Sequence, residues 1–322
     1  MVTSDAFYFI VNPASNTGRL KKKWPKLEPQ LKELSNKRGF EYEWKYTDAP
    51  LHAMKLTEKA EEIGYKNIVA VGGDGVANEI GNYILQNERN LTMGLMPMGT
   101  SNDLHTTVDL PKDEEKCFDI LVDGNIDIVP VGKVTGDFAD NPHYFLNHSD
   151  CGLSSLAAQG ARDGWKLLKG ETKYTFYALK KLARFKRNQA EVTIDGETKN
   201  YDLTVIAVSF GEWMAGYKLW PGNSIQQSVD EGNFGLAIAY GQSRPRLLKL
   251  MLDAEKGKHI GKKGVEYLRA KKVDIHLERP WPFEAEGEIY TEKSKEISFE
   301  YVPHALKLII PKQIPINIDN NE

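Results

Sequence analysis

The chain has 322 residues, with 42 Lys+Arg against 45 Asp+Glu for a net charge of −3, and at roughly 150 residues per domain it has length for about two domains. A hydrophobic fraction of 41% with 27% charged residues excludes wholesale disorder, and the near-neutral balance excludes a dedicated nucleic-acid binder, which carries a basic surplus. Cys117 and Cys151 are too few for a disulfide framework or a cysteine zinc site and suit a reducing cytosol. Residues 1–5 lack the basic-then-apolar profile of a signal peptide, and no apolar run approaches the ~18 residues of a membrane span. The expected location is the cytoplasm.

The first 135 residues alternate strand and helix signals. Phe7 to Val11 is an apolar run of strand length that enters a cluster of turn residues, Asn12-Pro13-Ala14-Ser15-Asn16-Thr17-Gly18. Trp24, Leu27, Leu31 and Leu34 then recur at helical spacing. Tyr42 to Thr47 reads as a second strand, and Ala53, Leu56, Ala60 and Ile63 as the stripe of a second helix. Ile68 to Val71 is a third strand feeding Gly72-Gly73-Asp74-Gly75 and a helix with Ile80 and Ile84. Met93 to Met96 is a fourth, ended by Pro97 and the loop Met98-Gly99-Thr100-Ser101-Asn102-Asp103. Continuous apolar strands alternating with amphipathic helices predict an α/β fold with a doubly wound parallel sheet.

The texture changes at the polar stretch Gly136 to Asn141, which reads as a crossing between domains. Strand signals dominate beyond it, with a hairpin expected at Asp195-Gly196 and helices around Tyr174 to Arg187 and Arg246 to Glu255. The expected organisation is therefore an α/β domain over 1–135, joined by a terminal strand within 305–322, and a β-rich domain over 136–304. The last residues, Gln313 to Glu322, read as a frayed tail.

In an open α/β sheet, ligands bind at the carboxyl ends of the strands near a topological switch point. The loops Asn12 to Gly18, Gly72 to Gly75 and Pro97 to Asp103 all follow strands. Glycines let backbone amides approach an anion, and a following helix presents its positive N-terminus, so the three loops together predict a phosphate cradle. It is neither a P-loop nor a dinucleotide fingerprint, because Gly73-Asp74-Gly75 continues as Val76-Ala77-Asn78. The protein-kinase H-R-D, zincin H-E-x-x-H and hydrolase G-x-S-x-G motifs are also missing. A carboxylate inside such a loop repels phosphate unless a cation intervenes, so Asp74 predicts Mg²⁺.

Gly72-Gly73-Asp74-Gly75-Val76-Ala77-Asn78-Glu79 resembles the G-G-D-G-T-x-N-E signature of the diacylglycerol kinase and sphingosine kinase catalytic superfamily. Pro97-Met98-Gly99-Thr100-Ser101-Asn102-Asp103 resembles its P-x-G-T-x-N-D signature, and Asn12-Pro13, Thr47 with His52-Ala53, and Asn125-Ile126-Asp127 match flanking positions. The resemblance covers most of the chain and is closest to the bacterial-type soluble lipid kinases. It implies a nucleotide domain, a β-sandwich lipid domain, and transfer of the γ-phosphoryl group of Mg-ATP to a lipid hydroxyl during transient contact with a membrane surface. Carried over by motif, Asn12 to Asn16, Thr47, Gly72 to Val76, Asn78, Glu79, Gly99, Thr100, Asn102 and Asp103 would form the ATP site. Glu288, in Glu286-Gly287-Glu288 where the family has D-G-E, would be the general base, with Asp74 and Asp127 in the polar network around Mg²⁺. Ser228, Glu231 and Asn233 fall on a secondary Mg²⁺ pattern, S-x-x-D-G-x-[FL].

The departures are Val76 for Thr, Asn16 for Gly, His105 for Ala, and Glu286 and Glu231 each for Asp. Each Asp→Glu change keeps the charge and moves the carboxylate by one methylene. Two other readings stand beside the lipid kinase: an NAD kinase-like enzyme with a soluble acceptor, and a non-catalytic lipid- or nucleotide-binding relative. For individual residues the bland alternatives are helix caps at Asp74, Asn102 and Asp103, an ordinary strand start at Asp127 and a solvated strand residue at Glu288. Trp213, Tyr217, Trp220, Trp281 and Phe283 read either as core or as an acyl-chain groove. The basic run Lys180, Lys181, Arg184, Lys186, Arg187 reads either as a solvated helix face or as a rest for anionic lipid. The acceptor lipid and the oligomeric state, a homodimer included, stay open.

Overall fold

A computed structural model of the chain describes residues 3, 5–138, 141–163, 176–177, 180–182, 185–214 and 217–312. The expected helix around Tyr174 to Arg187 therefore falls only partly within the described residues, and Arg184 and the tail 313–322 lie outside them.

The amino-terminal half runs β1 (Phe7–Val11), α1 (Leu20–Arg38), β2 (Tyr42–Tyr46), α2 (His52–Glu62), β3 (Asn67–Gly72), α3 (Asp74–Gln86), β4 (Thr92–Pro97), α4 (Asp103–Thr107) and α5 (Glu114–Asp123). Strands β1 to β4 pair in parallel in the order β2-β1-β3-β4. Period-two side-chain alternation sends Phe7, Phe9 and Val11 to one face, packed on Trp24, Leu27 and Leu31 of α1, and Tyr8 and Ile10 to the other, packed on Ala53, Leu56 and Ala60 of α2. Burying both faces is what makes these strands continuous apolar runs. Each fully buried large side chain contributes roughly 1.5–3 kcal/mol. Because β1 lies between β2 and β3, the chain reverses its direction of travel there, and the switch point falls at the ends of Val11 and Gly72.

The remainder runs β5 (Asn125–Gly136), β6 (His143–Phe145), β7 (His148–Gly152), α6 (Leu153–Asp163), β8 (Asn188–Ile194), β9 (Glu197–Ser209), β10 (Trp213–Met214), β11 (Tyr217–Lys218), α7 (Ile225–Glu231), β12 (Phe234–Tyr240), α8 (Arg244–Ala254), β13 (Val265–Ala270), β14 (Lys272–Ala285) and β15 (Glu288–Ile310). It is mainly antiparallel and has its own core, which includes Phe145, Phe210, Phe234, Phe283 and Phe299. The hairpin at Asp195-Gly196 forms with both residues at positive φ. Two long strands belong to both halves. The end of β15 returns to pair in parallel with β4 (Lys307 opposite Thr92), and β5 runs antiparallel to β15 along most of its length. Among the described residues, no helix is long and apolar enough to cross a membrane.

Candidate active site

Three loops meet at the switch point. The Asn12 N–H donates to Val71 O at 3.0 Å and the Thr47 N–H to Val11 O at 2.9 Å, bringing both residues to the end of β1. The Met98 N–H donates to Gly72 O at 2.8 Å, which holds the loop after β4 against the loop after β3. The two backbones touch so closely that a Cβ on Gly99 would lie 2.4 Å from the Gly73 Cα, and one on Gly72 would lie 2.8 Å from Ser15 Oγ. Asn102 closes its loop by accepting the Gly99 N–H at 2.9 Å from a left-handed conformation, φ 55°. Asn16 is also left-handed, φ 50°, a region Asn enters more readily than most residues.

The carboxylates have specific partners. Asp74 accepts the Asp103 N–H at Oδ2 and the Leu104 N–H at Oδ1, both at 3.0 Å, and His105 Nδ1 lies 3.8 Å from Oδ1. Burial raises the Asp74 carboxyl, but His105 and the two amides outweigh it and hold the group below its ordinary range. Asp74 thus caps α4, the helix after the second signature, rather than its own helix. Glu79 accepts the amides of Leu51 (2.9 Å) and Ala53 (3.0 Å) and so caps α2. Asn78 is buried, donating to Tyr144 O at 2.9 Å and accepting the Tyr290 hydroxyl at 2.7 Å. Val76 is buried against Gly72, which leaves the first turn of α3 lined by backbone. The side chains of Asn78, Glu79 and Val76 therefore build the cradle instead of facing into it.

Glu288 follows the two-residue turn Glu286-Gly287, with φ of 54° and 79°, that joins β14 to β15. A methyl group on Gly75 would meet Glu288 Oε1 at 3.9 Å, so this carboxylate stands over the N-terminus of α3. A left-handed Glu costs about 1–2 kcal/mol. Glu286 offsets it: Oε1 accepts the amides of Leu146 (2.8 Å), Asn147 (2.6 Å) and His148 (3.3 Å). Burial, and then the charge of Asp74, push its carboxyl up to about 8. Beside it lie buried His148, Glu284 and Asp150. His148 Nε2 is 3.7 Å from Glu284 Oε1, its Nδ1 is 3.7 Å from Glu286 Oε2, and Asp150 Oδ1 accepts the Ser154 and Ser155 hydroxyls at 2.5 Å each. Burial and the neighbouring Asp150 charge raise the Glu284 carboxyl well above the usual carboxylate range. Sequence reading missed this group. Only Glu286 carried a local signal, as a member of the Glu-Gly-Glu motif; Glu284 comes from the end of β14, and His148 and Asp150 come from β7, more than a hundred residues away.

An apolar pocket opens beside this group. Leu153 and Ala157 of α6, Val205 and Ala207 of β9, and Leu247 and Met251 of α8 line it, together with His148, Glu284 and Gly287. The aromatic residues read either as core or as a groove do not form it. Trp220, Trp281 and Phe283 are core residues, Trp213 lines a different cleft, and Tyr217 alone of the five faces the pocket. Aliphatic side chains and Met form most of its wall.

Two expected groups are placed elsewhere. Asp127 is exposed at the start of β5 in a cleft with Thr106, Thr107 and Asn223, at the far end of α4 from Asp74. Ser228, Glu231 and Asn233 do not fit a divalent metal, because they surround the Arg269 guanidinium. Its Nε donates to Asn233 Oδ1 (2.6 Å) and lies 3.1 Å from Glu231 Oε2; its Nη2 donates to Ser228 Oγ (3.1 Å) and Asn233 O (3.0 Å); and its Nη1 donates to Asn223 Oδ1. A permanently charged side chain occupies the place of the expected cation and would repel one.

By contrast, the glycine loops fit a nucleoside triphosphate, since Gly72, Gly73, Gly75 and Gly99 put no side chains over their amides and the first loop leads into the N-terminus of α3. Asp74 fits Mg²⁺ held through water, because each of its oxygens accepts one amide and keeps a lone pair.

Residues 6–134 match the diacylglycerol kinase catalytic domain family, and residues 150–310 match the YegS C-terminal NAD kinase beta sandwich-like domain. The diacylglycerol kinase of Staphylococcus carnosus is 27% identical over 280 residues, 87% of each chain, and that of Staphylococcus saprophyticus is 26% identical over the same shares. The crystal structure of a diacylglycerol kinase from Bacillus anthracis superposes over 97% of this chain and 99% of its own, with a TM-score of 0.72 at 19% identity, a likeness of fold.

Proposed function

The chain belongs to the diacylglycerol kinase catalytic-domain family, and from that premise we propose that it transfers the γ-phosphoryl group of Mg-ATP to the hydroxyl of a lipid such as diacylglycerol. One observation supports the reading: Glu288, whose carboxylate stands over Gly75 of the glycine cradle, directly follows Gly287, which lines the apolar pocket. A base bordering both a phosphate site and an apolar pocket suits an acceptor that is an alcohol with a hydrophobic tail. A soluble dinucleotide acceptor would leave that pocket without a role.

The residues act as follows in this reading. The loops from Asn12, Gly72 and Gly99, with Thr47, Thr100 and the N-terminus of α3, bind the triphosphate through backbone donors and the helix dipole. The unit that holds it comprises residues 1–135 with the returning strand from 305. Asp74 positions the second loop by capping α4. Mg²⁺, when bound, supplies charge neutralisation on the phosphate oxygens. Glu288 accepts the proton of the acceptor hydroxyl as its oxygen attacks the γ-phosphorus, and ADP leaves as the leaving group. Phosphoryl transfer needs little beyond such positioning and electrostatics. The substitution Glu288→Ala tests the assignment. Turnover should fall by at least ~10³-fold while ATP affinity, read by calorimetry, stays within a few-fold. Retained turnover would remove Glu288 from the mechanism.

A further inference from the structure

One face of α8 exposes large apolar side chains amid basic residues. Its inner residues Leu247 and Met251 line the apolar pocket, while Leu248 and Leu252, one turn apart and about 100° further round the helix, are 40% and 56% exposed. Ile260, in the turn that follows, is 39% exposed. Large apolar side chains standing in water in a row are costly unless something covers them. Their surroundings indicate what. Residues 244–263 carry seven Lys or Arg against two acidic residues, on a chain whose net charge is −3, and all seven are exposed. Arg244 also bonds to Phe185 O, which brings exposed Lys186 and Arg187 to the same edge.

We propose that α8 and the turn to Lys263 form the surface by which this protein rests on an anionic lipid bilayer. Leu248, Leu252 and Ile260 enter the acyl boundary while the flanking Lys and Arg meet the headgroups. The helix serves two surfaces at once, since the face beside the one that meets the bilayer is a wall of the pocket. A lipid drawn from the leaflet then reaches the pocket past a single helix. The inference rests on the lipid-kinase reading for its purpose but not for its test.

The test is co-sedimentation of the full chain, without ATP, with vesicles of phosphatidylcholine alone or with 30 mol% phosphatidylglycerol (about 30, enough to set a surface potential). Binding should need the anionic lipid and fall as salt is raised. Leu248→Ser with Leu252→Ser, and separately Lys256→Glu with Lys258→Glu, should each weaken binding by about tenfold or more. Lys32→Glu with Lys37→Glu on α1, the same change of charge elsewhere, should leave it within about twofold. Equal binding by wild type and the α8 variants, equal loss in the α1 control, preference for neutral vesicles, or no vesicle binding at all would each overturn the proposal. If the kinase reading alone is wrong, vesicle binding follows the predicted pattern while no lipid becomes phosphorylated.

Discussion

Asp74 Oδ1 accepts the Leu104 N–H at 3.0 Å, so the carboxylate of one glycine loop caps the helix that follows the other. The first signature thereby fixes the second. Removing the side chain should leave two amides at the start of α4 unsatisfied. For Asp74→Ala we expect a loss of about 1–3 kcal/mol in urea unfolding, together with loss of phosphoryl transfer. Asp74→Asn, which keeps one acceptor oxygen, should recover part of the stability but not the activity.

Gly99 has no room for a side chain. Its Cβ would lie 2.4 Å from the Gly73 Cα and 2.9 Å from the Gly73 N, both backbone atoms that cannot rotate away. Gly99→Ala should push the two loops apart, cost about 1–3 kcal/mol of stability and weaken ATP binding at least ~tenfold. Calorimetric titration with a non-hydrolysable ATP analogue checks the second part.

Glu286 makes stability depend on pH. Its carboxyl is raised from 4.5 to about 8 by burial and by Asp74. Between those values the folded chain holds a proton that the unfolded chain has lost, so stability is greatest at the acid end of the window and falls as pH rises to about 8. Glu286→Gln keeps the Oε1 acceptor for the three amides and cannot ionise. Its unfolding free energy should change less between pH 5.5 and pH 8.5 (about the span of the titration) than that of the wild type. Equal slopes for the two proteins would show that Glu286 does not carry the raised pKa.

Arg269 supplies from within the chain the charge that a cation would bring. Arg269→Ala should destabilise by about 1–3 kcal/mol, since Ser228, Asn223 and Asn233 lose their donor, and millimolar Mg²⁺ should restore part of the loss in thermal melts. In the wild type without nucleotide, Mg²⁺ should leave the melting temperature unchanged. A wild-type rise with Mg²⁺ that Glu231→Gln abolishes would return the metal to Ser228, Glu231 and Asn233.

The parallel sheet was legible because Phe7 to Val11 and Ile68 to Val71 are buried on both faces, and such strands have no polar alternation to obscure them. The loops were legible because a glycine cradle is local in sequence. What escaped was long-range. Arg269 lies 36 residues from Asn233, so the pattern Ser228 to Phe234 looks the same whether a metal or a guanidinium fills it. Glu79 is attached to α2 by amides 26 and 28 residues away. In both cases a side chain matched to a ligand by motif is bound by the protein itself. Of the aromatic residues read either as core or as a groove, Trp220 and Phe283 are core: they are among the largest fully buried side chains, and volume of that kind fills a core before it lines a pocket.

The central claim is phosphoryl transfer to a lipid, and the most direct measurement is transfer of label from γ-labelled ATP, with Mg²⁺, into a total lipid extract resolved by organic-phase chromatography. Label in a lipid band with wild type, absent with Glu288→Ala, is the predicted result, and the band identifies the acceptor class. Label in no lipid, from a protein shown to bind ATP in the same preparation, would contradict the claim.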